Sequence, residues 1–394
     1  MSSLRLSHSA TDSAIISLVA GGRAATRAAI AQTLGWAPST VSIHVQRLID
    51  DGVLLETGTR VRGRGRPAVG LTLPPDGNFV VAVDLGGHHA RLATMTLDGC
   101  LDNRAEVPAD IADGPAAALE AIAKQIEKLI AAQPTGRTLW AVGLSLPGPV
   151  DTVQGIVTLP ARMPGWDGFP VRGWLSERLG VPVLAENDAN LMAYGEHVVR
   201  QDGLASTVTV KAGTGIGAGI LVEGGLYRGA TFAAGDITHY RVAAAGDAPC
   251  SCGNRGCLET VASGAALVAT LHGQGVAVAD TADIVRQVRQ GDPAVTTAVR
   301  AAGASLGQVL CAVVNFFNPQ AVYLGGLLPT VEPFVAAVRA QIYQGSHPLV
   351  TRTLAVERTI SGADGVLVGG GRLAIEESFG GRADQFVPPE EVDA

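Results

Sequence analysis

Three thiols and an imidazole carry the spacing best suited to chemistry. Cys250, Cys252 and Cys257 form C-x-C-x4-C, and His239 lies eleven positions upstream. Three thiolates and one imidazole make a closed tetrahedral shell for Zn2+, the structural kind of site with no open position. Gly253 and Gly256 let the loop fold around an ion. Glu259, two residues past Cys257, would be fixed by this knot and could face a cleft. Cys100 and Cys311 read as free thiols. Cysteine this scarce fits a reducing, cytoplasmic compartment better than a disulfide framework.

A second constellation sits in "AENDANLMAYGE". Asp188 could act as general base on a hydroxyl nucleophile, with Asn187 bonding a neighbouring hydroxyl. Asp188 could equally cap the helix that follows. Two glycine turns accompany it. Asp84, Gly86 and Gly87 form one; Gly213, Thr214 and Gly215 form the other. Backbone N–H groups exposed by glycine can cradle phosphate oxygens, and Asp84 could hold a metal ion through water.

The elements that must position these residues follow from periodicity. Hydrophobic residues make up 47% of 394, enough for the cores of two or three domains. No apolar run approaches the roughly 18 residues needed to cross a membrane, and no signal-peptide pattern follows Arg5. A strand–turn–strand unit around 81–92 recurs about 130 residues later at 206–227. The spacing predicts a helix over 114–132, a strand over 139–150, and a strand, polar turn and helix over 181–197. A late strand is expected at 321–328 and a glycine turn entering a helix at 365–375. The repeat implies two α/β lobes with a cleft between them.

The charge is uneven. Residues 1–75 carry eight arginines and four acidic residues, a net +4, while the remainder is net −11. A basic head on an acidic body suggests a DNA-binding module joined to a body that binds no nucleic acid. "TDSAIISLVA", "TRAAIAQTLG" and "WAPSTVSIHVQRLIDDG" read as three helices, with Thr26 capping the second and Gly35 ending it. In the third, Val41, Val45, Leu48 and Ile49 form the buried stripe. Ser39, Thr40, Ser42, Ile43 and Arg47 lie on the other face, as a helix entering the major groove requires. Two strands follow around Arg62, Arg64 and Arg66, the wing of a winged helix, whose arginines suit a narrow minor groove. "LPPDGN" at 73–78 marks the expected boundary. The domains are then 1–75 and 76–394, with lobe 1 at about 78–195 plus the C-terminal helix and lobe 2 at about 196–364.

Taken together, DLGG at 84–87, SLPGPVD at 145–151, ENDAN at 186–190, GTGIGAGI at 213–220, GDITH at 235–239 and CSCGNRGCLE at 250–259 resemble the ROK family (repressor, open reading frame, kinase). The resemblance implies an actin-like, hexokinase-like two-lobe α/β ATPase fold behind the winged helix. It implies sugar contacts from Gly148, Asn187, Asp188, Asp236, His239 and Glu259, and zinc held by His239, Cys250, Cys252 and Cys257. Asp188 is the catalytic base only if the chain is a kinase, and ATP with Mg2+ is left open. Two positions depart from the family's kinases. His88 stands where a threonine is usual, and GDITH stands in place of GEIGH. The expected function is a sugar-responsive regulator, a repressor, binding a sugar or sugar phosphate and a palindromic operator as a dimer or tetramer. The alternatives are an active ATP-dependent sugar kinase with a DNA-binding head, and a dimerisation platform with a vestigial cleft.

Overall fold

The computed structural model describes residues 10–20, 24–61, 68–74 and 78–379. Its first elements are α1 (Ala10–Ala20), α2 (Arg27–Leu34) and α3 (Pro38–Asp50). Thr26 caps α2 by accepting the Ala29 N–H, and Gly35 ends it in left-handed backbone at φ 66°. Pro38 opens α3, where its missing N–H leaves no bond unmade. Val41, Val45 and Leu48 are buried along one stripe. β1 (Leu55–Val61) and β2 (Ala68–Thr72) pair antiparallel behind the helices. They flank the expected wing, whose Arg62, Arg64 and Arg66 lie outside the described residues.

The next stretch builds one sheet. Its elements are β3 (Asn78–Leu85), β4 (His89–Thr96), β5 (Leu101–Pro108), α4 (Pro115–Ala131), β6 (Thr138–Leu146), the small hairpin β7 (Val150–Asp151) and β8 (Ile156–Val157), α5 (Val171–Leu179), β9 (Val183–Asn187) and α6 (Asp188–Arg200). A second sheet follows from β10 (Thr207–Ala212), β11 (Ile216–Val222), β12 (Gly225–Leu226), β13 (Ala321–Gly325) and β14 (Ala355–Arg358). Between its strands run α7 (Glu259–Ala262), α8 (Gly264–Gly273), α9 (Thr281–Arg289), α10 (Pro293–Phe317), α11 (Glu332–Gly345) and α12 (Pro348–Thr351); α13 (Gly365–Phe379) comes last.

The two sheets share one topology. Their orders are β5-β4-β3-β6-β9 and β12-β11-β10-β13-β14. In each, the first three strands are antiparallel and the last two join in parallel. The repeat seen in the hairpins is therefore a repeat of the whole sheet. Parallel strands put their carboxyl ends on one edge, where open α/β sheets bind ligands. α6 packs on β10 and β11 and also on α13, so it lies between the two halves.

Two expectations fail here. The glycine run near 369–371 is no turn but lies inside α13. The reason is close packing: a Cβ on Gly369 would sit 2.0 Å from Leu191 O, and one on Gly371 2.6 Å from Met95 Sδ. Glycine weakens a helix by about 1 kcal/mol per residue, which this close approach offsets. Second, α10 has 25 residues and is long and apolar enough to cross a membrane by length and composition. Small residues interleave with its apolar ones and hide the run from a simple scan. Val295, Val299, Leu306, Leu310 and Val314 are buried in the core it shares with α11.

α13 also joins head to body. One face rests on α6, β3 and β6, and the other meets α1. A single apolar cluster contains Ile15 and Ile16 of α1, Val41 and Val45 of α3, Val80, Met95 and Trp140 of the first sheet, and Ile375 of α13.

Candidate functional site

Strand register brings four of the charged and polar residues into one row. Arg91 of β4 pairs with Asp84 of β3, Asp84 with Ser145 of β6, and Ser145 with Glu186 of β9. Asp84 is nearly buried. Its Oδ2 accepts from Arg91 Nη2 at 2.5 Å, and its Oδ1 from Ser145 Oγ at 3.3 Å. Arg91 also donates to Ala363 O at 2.8 Å. In the second sheet, Val208, Val210 and Ala212 face the core, so alternation turns Lys211 toward α6. Its Nζ donates to Asp188 Oδ2 at 2.5 Å. Burial alone would raise the Asp84 pKa, but Lys211 and Arg91 outweigh it and hold the group below the usual carboxylate range. Burial opposes the charge on Lys211, yet Asp188 and Asp84 raise its pKa. The ammonium thus serves both carboxylates.

The glycine turns frame this cluster. Gly86 N donates to His89 O, and Gly213 N to Gly215 O. A Cβ at Gly87 or Gly213 would meet nothing, so both turns border open space. The two later glycines of GTGIGAGI do different work. A Cβ on Gly217 would lie 3.0 Å from Ala189 Cβ, and one on Gly219 2.5 Å from Ala189 O. They admit the start of α6. His88 points outward, 82% exposed, and its Nδ1 pairs with Asp110 at 2.7 Å. The cation nearest Asp84 in this hairpin is Arg91, not the residue in the threonine position.

Asn187, not Asp188, is the N-cap of α6. Its Oδ1 accepts from Ala189 N and Asn190 N, while its Nδ2 donates to Gly148 O at 3.0 Å. Asp188 opens the helix and turns to Lys211. The buried Glu186 accepts from Asn187 N and Asn190 Nδ2 and pairs with Arg228 at 2.7 Å. Asp236 is exposed, and its carboxylate makes no hydrogen bond or ion pair among the described residues. Thr238 is buried and donates to Ile216 O at 2.6 Å.

Glu259 starts α7 and is 5% exposed. Its Oε2 accepts from Ile216 N at 3.3 Å, and its Oε1 lies 2.7 Å from Arg162 Nη2. Burial raises its pKa, and Arg162 works against that rise. The loop carrying Arg162 presses on Gly148, where an added Cβ would lie 3.2 Å from Met163 Sδ.

His239, Cys250, Cys252 and Cys257 converge, with their ligand atoms all within 4.8 Å of one another. Cys252 Sγ is 3.8 Å from Cys257 Sγ, and Cys250 Sγ is 3.5 Å from His239 Nδ1. Burial and the neighbouring sulfurs push the Cys257 thiol up to about 12. Crowded sulfurs of this kind fit a bound cation, and the cluster could hold a metal ion.

On the head, Ser39, Thr40, Ser42 and Ile43 are exposed, Ile43 at 70%. Arg47 is occupied differently: with His44 it pairs to the buried Asp12 of α1. α3 is thereby tied to the helix that meets α13.

Two families match this architecture. The ROK family matches residues 80–375. The chain belongs to the ROK family. A family described as winged helix-turn-helix DNA-binding matches residues 9–54. The xylose repressor of Bacillus spizizenii is 28% identical to this ROK chain over 359 residues, covering 89% of it and 91% of the repressor. The glucokinase of Halalkalibacterium halodurans is 29% identical over 325 residues, covering 76% of the chain and 96% of the enzyme. A crystal structure of a ROK family transcriptional regulator, a homolog of the E. coli MLC protein, superposes with a TM-score of 0.75. It covers 94% of this chain and 96% of that one at 24% identity, a likeness of fold. ROK relatives of this chain thus include a repressor and a kinase. The fold is the two-lobe ROK fold preceded by a winged helix.

Sequence reasoning missed three cations in this ROK chain: Arg91, Lys211 and Arg162. Hairpin register could have found Arg91, which sits opposite Asp84. Alternation along β10 could have turned Lys211 toward α6. Arg162 meets Glu259 across 97 positions, and no local pattern signals that pair.

Proposed function

We propose that this ROK chain is a sugar-responsive DNA-binding regulator, a repressor, whose body binds a sugar or sugar derivative without phosphorylating it. The observation that carries this reading is the Lys211–Asp188 pair, at 2.5 Å. A general base must accept the proton of the attacking hydroxyl. Here Asp188 Oδ2 already accepts from an ammonium in a poorly solvated site, which leaves only Oδ1 to meet a hydroxyl. Asp84, the candidate metal carboxylate, is likewise engaged by Arg91 and Lys211. The groups suited to hydroxyl recognition are Asn187, Asp188, Asp236 and Glu259, with Gly148 and His239 beside them; a bound hydroxyl would share Asp188 with Lys211 and Glu259 with Arg162.

The metal knot reads as structural zinc. Zn–S bonds of about 2.3 Å in a tetrahedron place sulfurs about 3.8 Å apart, which the Cys252–Cys257 spacing matches. Bound there, zinc supplies no chemistry but fixes the loop that leads into Glu259. DNA affinity comes from Ser39, Thr40, Ser42 and Ile43 on α3 together with Arg62, Arg64 and Arg66, and it falls steeply with salt. A single winged helix makes few contacts, so two copies on a palindromic operator are expected. The body's signal reaches the head through α13, which touches both α6 and α1.

The test is a thermal-shift panel of sugars and sugar phosphates, with and without Mg-ATP, followed by operator binding in the presence of each hit. A hit that changes operator affinity, with no sugar-dependent ATP consumption, supports the reading. A hit that leaves operator affinity unchanged overturns the sensor, and ATP turnover overturns the loss of kinase chemistry.

A further inference from the structure

We propose that Arg162 is a specificity-determining residue that selects a carbohydrate bearing an anionic group, a carboxylate or a phosphate. This inference rests on the reading of the body as a carbohydrate sensor and names the class of ligand. Arg162 projects from the loop after β8 and is 42% exposed, with one charged partner, Glu259. Its Nη2 lies 2.7 Å from Glu259 Oε1, and Glu259 is the one residue that pairs with Arg162 among the described residues. A guanidinium fork can serve two acceptors at once. Arg178 of this chain does so, pairing with Glu120 through Nε and with Glu127 through Nη1.

Arg162 lines an open surface depression of about 450 Å³. Glu259 is the depression's other charged lining group and is already paired with Arg162. Thr260 and Thr270 add hydroxyls, and Ala266 and Ala269 supply a small apolar wall. Such a depression holds a half-exposed guanidinium with one charged partner, hydroxyls for polar contacts, and no unpaired carboxylate to repel an anion. Its position ties it to the sugar contacts: Glu259 lines it, and the Arg162 loop packs on Gly148. A neutral sugar that drew Glu259 away would strand the guanidinium. A ligand with both hydroxyls and an anion satisfies Glu259 and Arg162 together.

The test uses the full chain and three probe sets in isothermal titration: glucose and xylose; gluconate and glucuronate; glucose 6-phosphate. Each is titrated into the wild type, Arg162→Gln and Arg162→Lys. Anionic probes should bind the wild type at least about tenfold more tightly than their neutral parents, as a charge-assisted hydrogen bond allows. That preference should vanish in Arg162→Gln and return in part in Arg162→Lys. The carboxylate and phosphate arms separate the two sources of charge. Neutral sugars binding as tightly as anionic ones, or an anionic preference that survives Arg162→Gln, would overturn the inference and leave the sensor reading standing. Failure of every carbohydrate to bind would overturn the sensor reading itself.

Discussion

Lys211 Nζ donates to Asp188 Oδ2 at 2.5 Å, and the same ammonium acts on Asp84 of the other sheet. Three carboxylates suited to kinase chemistry or sugar contact each have an internal cation partner: Asp84 with Arg91, Asp188 with Lys211, Glu259 with Arg162. The consequences can be measured one at a time.

Lys211→Met should destabilise the chain and change its response to acid. Asp84 has a depressed folded pKa, so it stabilises the native state above its unfolded value of about 3.9. That contribution is lost as pH falls through the folded value. Removing Lys211 lets burial raise the Asp84 pKa, so the acid-unfolding midpoint should move to higher pH. Breaking a buried pair costs about 3–5 kcal/mol; Lys211 is one-quarter exposed, so we expect about 1–3 kcal/mol at pH 7, read by urea unfolding. An unchanged acid midpoint would show that Lys211 does not hold Asp84.

Purified chain should contain a single zinc ion by elemental analysis, bound at the one His/Cys cluster among the described residues. Chelation, or Cys252→Ser, should lower the melting temperature and weaken carbohydrate binding together, because Cys257 and Glu259 are two residues apart. Operator binding by the head should suffer less. Loss of zinc with no change in either property would remove the metal from this account.

Glu376 should matter to signalling more than to either binding event. Its carboxylate accepts from Tyr194 of α6 and from Ser17 of α1, linking the helix that starts at the candidate base to the head. In Glu376→Gln, carbohydrate affinity and operator affinity measured separately should stay within about threefold, because its partners Tyr194 and Ser17 are neither candidate sugar contacts nor candidate DNA contacts. The carbohydrate-induced change in operator affinity should shrink. Full coupling in this variant would place the route elsewhere.

Gly369→Ala should destabilise by more than about 2 kcal/mol, despite alanine's better helix propensity. The added Cβ would fall 2.0 Å from Leu191 O on α6. A variant as stable as the wild type, in thermal or urea unfolding, would mean that α13 and α6 are not packed this closely.

Local signals carried far in this sequence. Caps, periodicity and the DLGG and GTG turns marked α1 to α4, α6 and the duplicated hairpin, and thiol spacing marked the His/Cys cluster; α5 and α7 to α12 carried no signal that was read. Local signals failed where tertiary contact decides the outcome. The glycines of α13 read as a turn because nothing local reports Leu191 and Met95 pressed against them. Asn187 took the cap expected for Asp188 because Lys211, on a strand formed later in the chain, holds the aspartate. His88, the departure from the kinase pattern, turns its side chain out of the turn to Asp110, and the cross-strand Arg91 pairs with Asp84.

A ROK cleft that recognises a carbohydrate without phosphorylating it leaves ATP intact. ADP release from Mg-ATP by the wild-type chain tests this most directly, across the carbohydrate panel at concentrations that saturate the thermal shift. The account predicts no ADP above the carbohydrate-free background. Carbohydrate-dependent turnover that disappears in Asp188→Asn would contradict it.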